Sequence, residues 1–242
     1  LRNDSRRALY QALFLWAILL AISVPLGLAV KLHFGPVGPL VSLTLFAVIG
    51  ALVFWYLPRH HCHEQFGLAN SVTLLRAALV SWLAGFIFEP EIIRDPIFAW
   101  SLMSAGFVVL LLDGVDGWLA RKTGQSSSFG ARFDMEIDSL FAIVLALMVW
   151  QTGKIGAWVL LLGLPRPIFV VVAWFVPYLS NPLPESRARK TICVIQIAAL
   201  VALLAPIFDA QINRLVALSV LALLAWSFWR DTRWLMSNRV AS

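Results

Sequence analysis

Read along its length, the chain alternates long apolar runs with short polar breaks. Runs long enough to cross a bilayer as helices, about 20 residues each, lie near residues 10–31, 38–57, 71–88, 97–113, 135–152, 155–178, 190–207 and 213–229. An all-α polytopic transmembrane bundle is therefore expected, with each run predicted as one span. The first run is long, follows Arg6 and Arg7 and lacks a small-residue cleavage site, so it reads as a span and not a signal peptide.

Composition agrees with the pattern. Of 242 residues, 60% are hydrophobic and 13% charged, and the mean hydropathy of +0.83 is far from that of a soluble domain. Charge then adds an orientation. With a cytoplasmic N-terminus, the inner breaks collect Arg2, Arg6, Arg7, Arg59, Arg121, Lys122, Arg132, Arg187, Arg189, Lys190, Arg230, Arg233 and Arg239, against Lys31, Arg94, Lys154 and Arg214 outside. The net charge of +6 is spread beside membrane ends, which suits anionic lipid and not nucleic acid. Cys62 and Cys193 are too few and too far apart for a disulfide framework. Tryptophans near span ends, such as Trp55, Trp100, Trp150, Trp229 and Trp234, read as interfacial belt residues.

One polar break carries chemistry. In "LLDGVDGWLARKTGQSSSFGARFDMEIDSL", residues 111–140, Asp113, Asp116, Gly117, Ala120 and Arg121 fall on one helical face, and Gly130, Asp134 and Asp138 on another. The Gly- and Ser-rich stretch between them reads as a turn, so two antiparallel helices would bring the carboxylates together at the membrane entrance. Four such acids repel one another and need positive charge among them. Hard oxygen ligands suit Mg²⁺, Mn²⁺ or Ca²⁺, and two divalent ions would balance all four charges and suit phosphoryl chemistry. Solvated loop charges are the plainer alternative for any one of these aspartates taken singly.

The spacing resembles the signature of the CDP-alcohol phosphotransferase family, D-x2-D-G-x2-A-R-x8-G-x3-D-x3-D, complete at Asp113, Asp116, Gly117, Ala120, Arg121, Gly130, Asp134 and Asp138. "ANSVTLLRAAL" is similar to the family's N-x-x-T-x-x-R stretch at Asn70, Thr73 and Arg76. The resemblance implies a six-helix core at 70–230, preceded by a two-span extension and linker at 1–69 and followed by a cytoplasmic tail at 231–242. It further implies a homodimer; the Lys and Arg bias places both termini and the four aspartates at the cytoplasmic face, and a bacterial inner membrane is expected. Asp113, Asp116 and Asp134 would be metal ligands for two Mg²⁺ or Mn²⁺ ions, and Asp138 both ligand and general base. Gly117, Ala120, Arg121 and Gly130 would shape the CDP pocket, with Asn70, Thr73 and Arg76 near the donor's phosphates or nucleotide. The implied reaction moves a phosphatidyl group from CDP-diacylglycerol to a small polar alcohol and releases CMP. Members using glycerol 3-phosphate often carry D-P-x-A-D-K at the last two aspartates, where this chain has "DMEIDSL", without the proline or the lysine.

Other polar residues extend the reading. Arg166 sits between Pro165 and Pro167 in an apolar run, where a charge usually faces a cavity; with Arg189 and Lys190 it is a candidate for binding the acceptor. His60, His61, Cys62 and His63 crowd together, but adjacent residues cannot easily share one tetrahedral ion, so a solvated linker is expected. Two alternatives stay open. One is transfer of phosphocholine or phosphoethanolamine from a CDP-linked head group to diacylglycerol; the other is divalent-cation transport.

Overall fold

The computed structural model describes residues 3–60, 65–123, 127–176 and 186–237. Among them every regular element is helical, as expected for an all-α bundle. The helices are α1 (Asn3–Phe34), α2 (Val37–His60), α3 (Leu68–Gly85), α4 (Pro90–Arg94), α5 (Pro96–Thr123), α6 (Ser128–Gln151), α7 (Pro165–Phe175), α8 (Arg187–Leu203) and α9 (Ala210–Ser237). Large apolar side chains such as Phe14, Leu52, Trp55, Phe107 and Leu111 stay exposed on the outer faces, the arrangement expected where lipid is the solvent. The chain divides into two compact units, Leu1–Leu140 and Phe141–Ser242.

Local chemistry sets the helix starts. Asp95 accepts hydrogen bonds from the N–H groups of Ile97 and Phe98 at 2.9 and 3.2 Å, with Pro96 at the first helical position of α5. Ser127 Oγ accepts from Gly130 N–H at 3.0 Å and opens α6, and Asp209 Oδ1 accepts from Ile212 N–H at 2.8 Å and opens α9. Ahead of α3, Gly67 has φ +85°, a left-handed turn that favours glycine.

In the first unit, α3 packs against both α2 and α5. The α2–α3 crossing depends on missing side chains. A Cβ on Gly85 would lie 2.3 Å from Ser42 Oγ and 2.6 Å from the Gly38 carbonyl oxygen. Small residues of this kind let transmembrane backbones approach closely. The α1–α2 contact uses the same device: a Cβ on Gly50 would lie 2.2 Å from Trp16 Nε1, and that indole donates to the Phe46 carbonyl at 3.3 Å.

The expected spans are not alike. Among the described residues, five stretches are long and apolar enough to cross a membrane: Arg6–Val24, Val37–Pro58, Leu68–Phe88, Pro96–Ala120 and Ala210–Ser237. The run at 155–178, expected as one span, is instead a 3-10 segment, Ala157–Leu162, followed by the short α7. Pro165 and Pro167 lack the N–H groups that a continuous helix would need. Gly163, between the two pieces, packs where a Cβ would come within 2.9 Å of the Ala142 carbonyl oxygen. The Leu162 carbonyl, freed near the break, accepts a hydrogen bond from Gln196 Nε2 of α8. That bond answers the requirement that backbone polar groups be satisfied internally at membrane depth. In the same unit, Lys154 Nζ donates to the carbonyls of Ala205 and Phe208 at 3.2 and 3.0 Å, just past the end of α8. His61, Cys62 and His63 of the histidine cluster lie outside the described residues, and α9 continues through Ser237 into the stretch expected as a tail.

Candidate active site

The site is assembled from α3, α5 and the first turns of α6, all within the first unit. Asp113 and Asp116 stand one turn apart on α5, and Asp134 and Asp138 one turn apart on α6. One carboxylate oxygen from each of Asp113, Asp116 and Asp134 lies within 4.8 Å of the other two. The predicted stripes do face each other.

At their centre is a residue that the sequence had assigned only to the donor. The Arg76 side chain, 1% exposed, reaches all four acids. Its Nη1 donates to Asp116 Oδ2 at 2.8 Å and Asp134 Oδ1 at 2.6 Å. Its Nη2 pairs with Asp113 Oδ1 at 2.8 Å and donates to Asp138 Oδ1. A planar, permanently charged guanidinium is the side chain able to serve several carboxylates at once. Its Nε is buried without a hydrogen-bond partner among the described residues.

The four acids are not equivalent. Asp116 is the most enclosed, its side chain 4% exposed, with Thr73 Oγ1 3.1 Å from its Oδ2. Thr73 Oγ1 also lies 3.1 Å from the Ala69 carbonyl, so its one proton can serve either acceptor. Asp138 is the most open, at 42%.

The remaining predicted residues fall around this core. Asn70 Nδ2 donates to the Phe66 carbonyl at 2.5 Å, and its Oδ1 would stand 2.6 Å from a Cβ placed on Gly130. Glycine at 130 therefore lets α6 approach the start of α3. Gly117 and Ala120 sit half-buried on α5, and the Arg121 side chain lies outside the described residues. In the second unit, Arg166 is half-buried in the first turn of α7 and Lys190 is exposed on α8. Arg189 there is paired with Asp231 of α9 at 3.3 Å; that acid also takes Arg230 at 3.0 Å.

A divalent ion fits these donors. Three carboxylate oxygens within 4.8 Å of one another form the hard, anionic oxygen set that Mg²⁺ and Mn²⁺ favour. A single guanidinium offsets only one of four acids.

Residues 66–229 match the CDP-alcohol phosphatidyltransferase family. The chain belongs to that family. Two similar proteins are CDP-diacylglycerol–glycerol-3-phosphate 3-phosphatidyltransferases, from Salmonella choleraesuis strain SC-B67, 25% identical, and from Escherichia coli K12, 24% identical. Each comparison runs over 173 residues, 70% of this chain and 81% of the relative. No solved structure matches. The CDP-alcohol phosphatidyltransferase segment contains all four aspartates together with Asn70, Thr73 and Arg76, while α1 and α2 lie ahead of it. Sequence reasoning located the aspartates but missed Arg76 as their common partner. Its signal was present only as a cation on a buried helical face, since the acids it meets come much later in the chain.

Proposed function

We propose that the protein transfers a phosphatidyl group from CDP-diacylglycerol to a small polar alcohol, using two Mg²⁺ or Mn²⁺ ions held by Asp113, Asp116, Asp134 and Asp138, at the cytoplasmic face of a bacterial inner membrane. The observation that carries this reading is the convergence of three carboxylate oxygens within 4.8 Å inside the family-matched segment. The bound ions would supply charge neutralisation for the diphosphate and the departing CMP.

The chain's own residues do the rest. Asp138, the most open of the acids, takes the proton of the acceptor hydroxyl through a carboxylate oxygen. The acceptor oxygen forms a bond to the phosphorus distal to cytidine, the bond from that phosphorus to the bridging oxygen breaks, and CMP leaves with the electron pair. Arg76 holds the carboxylates in register. Gly130 keeps the entrance beside Asn70 free of a side chain.

Glycerol 3-phosphate, named in the relatives, is the acceptor to test first. Ser139 follows Asp138 where members using that acceptor often carry lysine, so the panel also includes inositol phosphate, serine and uncharged polyols. The decisive measurement is CMP release by purified protein given CDP-diacylglycerol, Mn²⁺ and each acceptor in turn, with the lipid product weighed by mass spectrometry. One acceptor should yield CMP and the matching phospholipid. Asp138→Asn should lower kcat by about 10²–10⁴-fold while CDP binding persists; full activity in that variant removes Asp138 from the reaction.

A further inference from the structure

The family-matched segment begins at residue 66, yet that first residue is held by one from outside the segment. Gln11 Oε1 on α1 accepts the backbone N–H of Phe66 at 3.0 Å. The Phe66 carbonyl in turn accepts from Asn70 Nδ2, and Asn70 Oδ1 sits against Gly130. The Phe66 ring packs on Phe129 at 6.5 Å between centroids, and Phe129 stacks on Phe133 at 5.7 Å. Phe133 immediately precedes Asp134. One residue thus joins α1 to the starts of both α3 and α6.

The donor of that first bond has little freedom to choose another geometry, because Gly67 turns the chain sharply at φ +85° directly after Phe66. The acceptor is equally well placed. Ala8 and Ala12, fully buried, lie three residues before and one after Gln11 and seat this turn of α1. Further along, Trp16 reaches the Phe46 carbonyl through the gap left by Gly50, and α2 meets α3 at Gly38, Ser42 and Gly85. An extension serving only to fill lipid would need apolar packing; it would not need a side-chain acceptor for the amide at the entrance to the site.

We propose that Gln11 is a positioning residue: through Phe66 it sets the start of α3, and with it Asn70, against Gly130 and the first turns of α6, so that the N-terminal helices brace the donor side of the site. The inference rests on reading the aspartate cluster as the reaction centre. Its consequence for turnover is weaker donor binding with the chemical step intact, since Gln11 touches neither the carboxylates nor a reacting atom.

The test compares the full-length wild type with Gln11→Met, which keeps the size and loses the acceptor, and Gln11→Glu, which keeps an acceptor. Amide hydrogen exchange of the Phe66–Asn70 segment is followed in nanodiscs, alongside CMP release at varied CDP-diacylglycerol. In Gln11→Met, exchange at Phe66 and the donor KM should each rise by about fivefold, the worth of one ordinary hydrogen bond, with kcat unchanged. Gln11→Glu should match the wild type in both. Unchanged exchange in Gln11→Met overturns the brace, as does Gln11→Glu exchanging as fast as Gln11→Met; faster exchange with an unchanged KM overturns the positioning role. If the wild type itself releases no CMP, the reaction reading fails instead, and the exchange comparison still decides whether Gln11 holds the start of α3.

Discussion

Four acids share the one guanidinium of Arg76, and it is the most deeply buried member of the cluster. Removing one partner of a buried ionic group is far more costly than losing a surface pair, because the remaining charges are left without compensation. Arg76→Met should therefore lower stability by about 3 kcal/mol, the low end for such a change, since three of the acids are partly exposed and screened by water. Thermal unfolding in detergent with chelator checks this, and added Mn²⁺ should recover more of the unfolding temperature in the variant than in the wild type. An unfolding temperature equal to that of the wild type would mean that the acids do not depend on Arg76. At this scale the sequence was informative where chemistry repeats at helical spacing: Asp113 with Asp116, and Asp134 with Asp138, could be placed on common faces from their intervals alone. Arg76 could not, because a contact between helices leaves no interval to read.

Elements were legible to the extent that hydropathy and helix length agree. They agree for α2, α3 and α5, whose apolar runs became long helices. They part at 155–178, where hydropathy is continuous but the backbone is not: a 3-10 segment ends ahead of Pro165 and Pro167, and a separate 11-residue helix begins there. The mismatch explains Gln196, a buried amide in an otherwise apolar helical turn, which supplies the donor for the Leu162 carbonyl. Gln196→Leu leaves that carbonyl without its partner, and should cost about 1–3 kcal/mol, the penalty for an unsatisfied buried acceptor. Chemical denaturation of the reconstituted protein measures it. A neutral result would show that another donor reaches Leu162 when Gln196 is gone.

For the whole molecule, the asymmetry of Lys and Arg predicts which end of each span faces the cytoplasm, and the aspartates sit at the end that carries the cations. With Cys62 and Cys193 replaced by serine, a membrane-impermeant thiol reagent applied to intact inner-membrane vesicles of known sidedness reports this directly. Thr123→Cys, exposed at the end of α5, should react only from the cytoplasmic side, and Glu91→Cys, exposed on α4, only from the opposite side. The reverse pattern would put the site outside, away from the cell's supply of CDP-linked lipid.

Chain order adds a last consequence to the pairing of Arg76 with its acids. A ribosome delivers α3 before α5 and α5 before α6, so the guanidinium enters the bilayer ahead of every aspartate that it will bind. Each acid raises the cost of inserting its helix by itself, and α6, bearing Asp134 and Asp138, is not among the described stretches that are long, apolar and low enough in charge to cross a membrane. In the order in which this protein is made, the cation is already waiting, and the acidic helices arrive at a membrane that has been made ready for them.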